Sequence, residues 1–218
     1  MSMRIDALLD EVFKWGHIEV LLTTIDPAGS PNTAPMGVDR GGSREIVLRI
    51  YRETKTFRNI ALGSRWLVLT LSTDAMDYYI SLFGAMDYET VPGWPIPSPV
   101  TRCRYTILLA RVSSIDGEDP STVKAEVMDH SHLPSLRSCR QAYSRANVAL
   151  IEALIYYTKV EALAGTSSNE VLCRLYKRLE ENALLAMRLG SEQLRRAADN
   201  VINLASEQLR KAGISCRD

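Results

Sequence analysis

The 218-residue sequence has no excess of charge of either sign, with 26 Lys and Arg against 26 Asp and Glu. A balance of that kind lacks the basic field that a nucleic-acid or acidic-membrane partner requires. Long apolar runs are missing as well, and none approaches the roughly 20 residues of a bilayer-spanning helix. The opening stretch MSMRIDALLDEVFKW mixes acids among its apolar residues, unlike the apolar core of a signal peptide, so the cytoplasm is the expected location. Cysteine is scarce. Cys103, Cys139, Cys173 and Cys216 are far apart and no C-x-x-C occurs. Neither a thiolate zinc site nor a dithiol redox pair is expected, and the four read as small buried or surface thiols. Histidine is scarcer still. Asp129-His130-Ser131-His132 could set two imidazoles on one side of a strand but has no third ligand nearby, so it reads as a polar strand end or loop with no metal. Absent too are a dinucleotide Gly-rich fingerprint, a Walker motif and internal repeats, and no catalytic Ser/His/Asp set or carboxylate pair stands out.

What remains is an ordinary globular composition, 46% hydrophobic and 24% charged, in a chain long enough to bury a sizeable core. Residues 3–15 carry Ile5, Leu8, Leu9, Val12 and Phe13 at helical spacing, with Gly16 as the stop. From Ile18 to Ser72 three strand-like runs, a short helix and a fourth strand follow one another. Asp26-Pro27-Ala28-Gly29-Ser30 and Gly41-Gly42-Ser43 form the breaks. Pro35 lies inside the second strand. A proline cannot donate to a ladder, so this strand is either an edge or splits from its neighbour there. In the third strand Ile46, Leu48 and Ile50 share one face and Val47, Arg49 and Tyr51 the other. Arg49 is a charge among apolar positions, and its tip either reaches solvent or meets a bound anion. Thr54-Lys55-Thr56 then opens a helix at 54–62, where free amide groups make an anion seat.

Trp66–Leu71 is apolar on both faces and reads as a central strand. Asp74 caps a helix at 75–83 that ends at Gly84. The loop around Trp94, with Pro92, Pro95, Pro97 and Pro99, reads as irregular. Strands at 102–114 and 122–130 complete a set of six, mostly hairpin-connected, for which a small antiparallel barrel is the best packing solution. Beyond Ser138 there is no proline, and three helices are predicted at 141–163, 169–189 and 192–211. Ser167-Ser168-Asn169-Glu170 reads as a capping box for the second. In the third, Leu194, Ala198, Val201, Ala205 and Leu209 form one stripe suited to close helix packing.

The series D-x-x-G-x-P-N-x-A-P, then K-T-x-x-N-I before an apolar strand, is carried by Asp26, Gly29, Pro31, Asn32, Ala34, Pro35, Lys55, Thr56, Asn59 and Ile60. It resembles the FMN-binding split-barrel superfamily, which includes flavin reductase-like proteins and pyridoxamine phosphate oxidases. Within that group the chain looks most like an uncharacterised, largely archaeal family with a helical C-terminal region. The likeness lies in Ser30 to Val38, in Arg49-Ile50-Tyr51 and in Leu150 to Lys159. It departs from that pattern at Tyr156, where relatives are expected to hold histidine, and at Lys159, where they hold arginine. The loop 91–99 differs too, and substrate selection is expected there.

The resemblance implies a six-stranded antiparallel split β-barrel with short helices at 1–136, followed by a three-helix C-terminal region at 137–218. It implies FMN contacts at Ala34, Pro35, Met36, Gly37, Arg49, Thr54, Thr56 and Asn59, in a homodimer whose second subunit completes the site. It further implies an oxidoreductase of flavin reductase-like type that draws on reduced nicotinamide, NAD(P)H, for an unknown acceptor. Flavin chemistry would explain why no catalytic side chains stand out. A non-catalytic flavin-binding or protein-interaction module, a fold-only structural dimer, and a deazaflavin-dependent reductase remain as alternatives.

Overall fold

The computed structural model describes residues 4–101, 106–131, 143–164 and 167–216. Cys103, Cys139 and His132 lie outside the described residues, as do the predicted starts of the strand at 102 and the helix at 141. The chain forms two compact units, Met1–Lys14 with Ile18–Tyr143, and Trp15–His17 with Ser144–Asp218. No helix among the described residues is long and apolar enough to cross a membrane.

The first unit is a six-stranded, closed antiparallel barrel. Its strands are β1 (Ile18–Ile25), β2 (Pro31–Arg40), β3 (Glu45–Ile50), β4 (Trp66–Thr70), β7 (Ile107–Asp116) and β8 (Ser121–Ser131), where β5 (Tyr88–Glu89) and β6 (Ser98–Pro99) are a small separate ladder. Around the barrel the order is β1-β2-β3-β8-β7-β4. Period-2 alternation decides which side chains fill it. Val20, Leu22, Val38, Ile46, Leu48, Ile50, Leu67, Leu69, Leu108, Ala110, Val123 and Ala125 point inward and are buried. Helix α1 (Ile5–Val12) adds Leu8, Leu9 and Val12 to the same core. It is tied to the β2–β3 turn by Asp10, which pairs with Arg40 at 2.7 Å, and by Asp6, which accepts from Ser43 Oγ and Arg44 Nε.

Two short helices follow the strands, α2 (Lys55–Ala61) and α3 (Ala75–Phe83), the latter capped by Asp74 as its sequence indicates. The proline-rich loop is not wholly irregular. Ser98 and Pro99, both buried, pair with the half-buried Glu89 and Tyr88 in a two-residue ladder, short enough to tolerate the N–H that proline lacks. The loop lies on the outer face of β4 and β7, where Val91 and Ile96 are buried with Val68, Ile107 and Leu109. Trp94 Nε1 donates to Asp129 Oδ2 at 2.9 Å.

The second unit consists of α4 (Arg145–Leu163), α5 (Asn169–Leu189) and α6 (Glu192–Lys211). Its core is built of alanines at helical spacing. Ala146, Ala149 and Ala153 meet Ala183 and Ala186, and Ala198 and Ala205, so the helix backbones come close. The α6 stripe read from the sequence is the buried one. Gly16 has φ +91°, and a Cβ there would lie 2.5 Å from the Leu189 carbonyl oxygen, so only glycine fits beside the α5–α6 turn.

Two local expectations are corrected. Ser168, not Ser167, caps α5, its hydroxyl accepting from Val171 N. Three positions on from that cap stands an apolar valine, so the reciprocal glutamate of a capping box is missing. Cys173 and Cys216 are not free thiols but form a disulfide with Cα atoms 5.2 Å apart. It closes the tail after α6 onto α5, beside Leu172, Leu209 and Ile214.

Candidate functional site

Strand β2 pairs with β1 along Pro31 to Val38, but with β3 only through Val38–Leu48, Asp39–Val47 and Arg40–Ile46. The proline at 35 thus coincides with a strand that parts from one neighbour and keeps the other. From Pro31 to Gly37 the edge that faces away from β1 has no ladder partner among the described residues. Extended by one pair, the β2–β3 register would set Gly37 opposite Arg49, so Arg49, still paired with Thr122 of β8, stands where β3 parts from β2.

Alternation divides the four predicted β2 contacts. Ala34 and Met36 share the inward face with Val38, and Met36 packs against the barrel core, whereas Pro35 and Gly37 face outward. What all four offer in common is backbone along the open edge. Gly37 pairs regularly with Glu19, so the missing side chain is not there to permit a turn. Its effect is to let another group approach the outer face closely.

Arg49 is exposed on the outer face of β3, and its guanidinium has no ion pair or hydrogen bond among the described residues. Three further cations follow within ten residues, Arg52, Lys55 and Arg58, against one acid, Glu53. Arg52 is already engaged: Nε donates to Ser121 Oγ (2.9 Å), a guanidinium nitrogen donates to the Gly117 carbonyl (2.8 Å), and the head lies 5.8 Å from the Phe57 ring centre. It clamps the β7–β8 turn. Arg58 donates to the Glu53 carbonyl and steadies the loop into α2. Lys55 is exposed. The end of the split is therefore a cationic corner in a protein of zero net charge.

The α2 residues have other duties. Thr54 Oγ1 donates to the Tyr51 carbonyl at 2.7 Å and accepts from Phe57 N at 3.2 Å, the work of an N-cap. Thr56 and Asn59 are only 2% and 3% exposed. Asn59 Nδ2 donates to Thr24 Oγ1 on β1 at 2.9 Å, and Asn32 Nδ2 on β2 reaches Thr56 Oγ1 at 3.5 Å. These two bonds dock α2 on the first two strands, beside the open edge. Asn32 and Thr24 were not singled out as site residues in the sequence. Their signal was register, since they are direct partners across β1 and β2 and share the inward face. The surroundings fit a flat ring with a phosphate tail: an open backbone edge with hydrogen-bonding groups, a glycine for approach, and a free guanidinium at one end.

Comparison with known proteins agrees with this architecture. A family model described as "Protein of unknown function (DUF447) N-terminal domain" matches residues 18–132. No curated protein matches the chain. Among solved structures, an FMN-bound protein of Methanosarcina mazei assigned to the DUF447 model is 19% identical, with a TM-score of 0.50 over 93% of this chain and 100% of that one. It shares the fold. An NADH:FAD oxidoreductase of Streptomyces globisporus, in complex with NAD and FAD fragments, is 12% identical (TM-score 0.44, covering 58% of this chain and 82% of that chain). Flavoredoxin of Desulfovibrio vulgaris is 14% identical (TM-score 0.45, covering 61% and 79%).

Proposed function

The chain belongs to the DUF447 family, and from that membership together with the split β2 edge we propose that it is an FMN-binding oxidoreductase of flavin reductase-like type. The observation that carries the reading is the open edge Pro31–Gly37 ending at an unpartnered Arg49. In this reading FMN lies along that edge, contacting Ala34, Pro35, Met36 and Gly37, with its phosphate at Arg49. Thr54, Thr56 and Asn59 complete the set. Thr54 closes the loop that carries the phosphate corner, and Thr56 and Asn59 hold α2 against β1 and β2 so that the corner stays in place. The flavin, once bound, supplies hydride chemistry, and the protein supplies orientation and charge. A reduced nicotinamide is the donor in this scheme, and the Methanosarcina mazei relative, which is FMN-bound, supports FMN over a deazaflavin.

The working unit in this proposal is a cytoplasmic homodimer whose second subunit closes the open edge. Tyr51, 62% exposed beside Arg49, and the exposed Val148, Ile151 and Ile155 on one side of α4 supply apolar surface for such an assembly. Cytosolic disulfides are usual mainly in hyperthermophiles, so Cys173–Cys216 narrows the kind of cytoplasm in which this holds.

Anaerobic addition of NADH or NADPH to the flavin-loaded protein tests the activity. Loss of the oxidised flavin spectrum with either donor is the expected result. A flavin that dithionite reduces and neither nicotinamide does would leave a binding module in place of a nicotinamide-driven reductase.

A further inference from the structure

The tail after α6 is turned back by a defined motif. Gly213 has φ +71°, and its N–H donates to the Arg210 carbonyl at 3.1 Å, while Ile214 N donates to the Leu209 carbonyl at 2.9 Å. With Ile214 packed on the cluster of Val160, Leu172 and Leu209, these two bonds make a Schellman ending. The chain therefore reverses at Gly213 and brings Cys216 to Cys173 on α5 through contacts that do not include the disulfide itself. The pair lies outside residues 18–132, the span of the family match, and none of the flavin contacts proposed above involves it.

Cys173 and Cys216 are both half-buried, and Ser215 beside them is exposed. A cleft of about 320 Å³ opens at the bond, with Arg174, Tyr176 and Glu180 of α5 and Ser215 of the tail in its wall. Tyr176 is itself fixed, its hydroxyl lying 2.8 Å from Ser206 Oγ on α6. Access decides how a disulfide behaves. A fully buried one is shielded from thiols until the fold opens, whereas one that lines a cleft is open to direct attack. Here both sulfurs belong to half-buried residues at a cleft, and the segment that carries the second is held in place independently of the bond.

We propose that Cys173–Cys216 is a reversible thiol–disulfide exchange site whose substrates are low-molecular-weight thiols and their disulfides. A small thiolate enters the cleft and attacks one sulfur. The S–S bond breaks, a mixed disulfide forms on that cysteine, and the electron pair leaves on the other cysteine sulfur, which takes a proton from water. A second small thiolate then attacks the small-molecule sulfur of the mixed disulfide and releases the first cysteine, again as a thiolate that is protonated. The balance is two small thiols and one protein disulfide giving one small disulfide and two cysteine thiols, and it runs backwards when the small disulfide is in excess. The Schellman turn governs that return. It keeps the second cysteine beside the first, so an intramolecular thiol at high effective concentration closes the mixed disulfide. The cleft is at the small end of ligand pockets, about 300 to 1,000 Å³, and suits a thiol of a few carbons. The site belongs to the helical unit alone and is independent of the flavin reading.

The test uses the full chain with 2-mercaptoethanol as reductant and hydroxyethyl disulfide as oxidant, the products being quenched in acid and located by peptide mass mapping. Reduction of the native wild type should be first order in thiolate without saturation, and its rate should stay the same in urea below the unfolding transition. A rate that levels off with thiol and climbs with urea as unfolding does would mean that the bond is reached only through the unfolded chain, and overturns the proposal. In the return direction the reduced wild type should re-form Cys173–Cys216, whereas Cys216→Ser should stop at a mixed disulfide on Cys173. Gly213→Ala, strained at φ +71°, should slow closure about tenfold and leave formation of the mixed disulfide unchanged. Closure as fast in Gly213→Ala as in wild type would refute the role given to the turn. Absence of the Cys173 adduct in a Cys216→Ser protein whose helices are intact by circular dichroism would refute the site, and if that variant unfolds, the wild-type kinetics decide alone.

Discussion

Replacing Arg49 with alanine isolates the phosphate end of the proposed site. The guanidinium is exposed and has no partner among the described residues, so its loss removes no internal bond. Surface changes of that kind usually alter stability by no more than about 0.5 kcal/mol. A hydrogen bond to a charged group contributes about 1.5–3 kcal/mol, which corresponds to a loss of FMN affinity of about 10- to 150-fold. Riboflavin has the same ring and no phosphate, so its affinity should be unchanged in Arg49→Ala. Fluorescence titration of wild type and variant with both flavins gives the ratio directly, and the FMN gain over riboflavin should shrink as salt is raised. Arg52→Ala is the control. It breaks two side-chain hydrogen bonds to the β7–β8 turn, at about 0.5–1.5 kcal/mol each, so it should lower stability and leave the FMN-to-riboflavin ratio intact. Equal losses for FMN and riboflavin in Arg49→Ala, or no loss for either, would refute the placement of the phosphate.

Other consequences follow from the packing. Reduction of Cys173–Cys216, which are 43 residues apart, should destabilise the helical unit by about 4 kcal/mol on the loop-entropy estimate; an unchanged denaturation midpoint in reductant would contradict this. Ala198→Leu should cost about 1–3 kcal/mol by overpacking the alanine core, read by thermal or urea melting, and a neutral effect would show that the helices do not pack closely there. Hydrogen bonds from Ser43 and Arg44 hold the Asp6 carboxyl below its usual pKa range. The stability it adds is present at neutral pH and lost as pH falls through that lowered value, so wild type and Asp6→Asn should converge in acid. Tyr78 has the opposite sign. Its folded pKa is raised, so stability should begin to fall as pH passes about 10 and the unfolded chain ionises, and Tyr78→Phe should lessen that slope.

The barrel was legible because its signals are local. Alternation named the inward residues of β3, Pro35 marked the strand that parts from its neighbour, and the α6 stripe is the one buried. The cap of α5 was misread by one residue, since two adjacent serines offer the same hydroxyl and the helix geometry chooses between them. The disulfide was not legible. Pairing depends on where the tail after α6 lands, and nothing in the spacing of Cys173 and Cys216 encodes that. The candidate site was half legible. Motif order marked β2, Arg49 and α2, but not that Thr56 and Asn59 are turned under the helix to Asn32 and Thr24. A polar side chain on a short helix can serve a ligand or the fold, and only the docking of that helix decides which.

The central claim is tested most directly by what the protein carries. The purified protein, or the protein after incubation with FMN and removal of excess, should show a bound-flavin absorption spectrum and release FMN in stoichiometric amount on heat denaturation. A deazaflavin among the released material would replace the cofactor and keep the site. A colourless protein that takes up no added FMN would contradict the account.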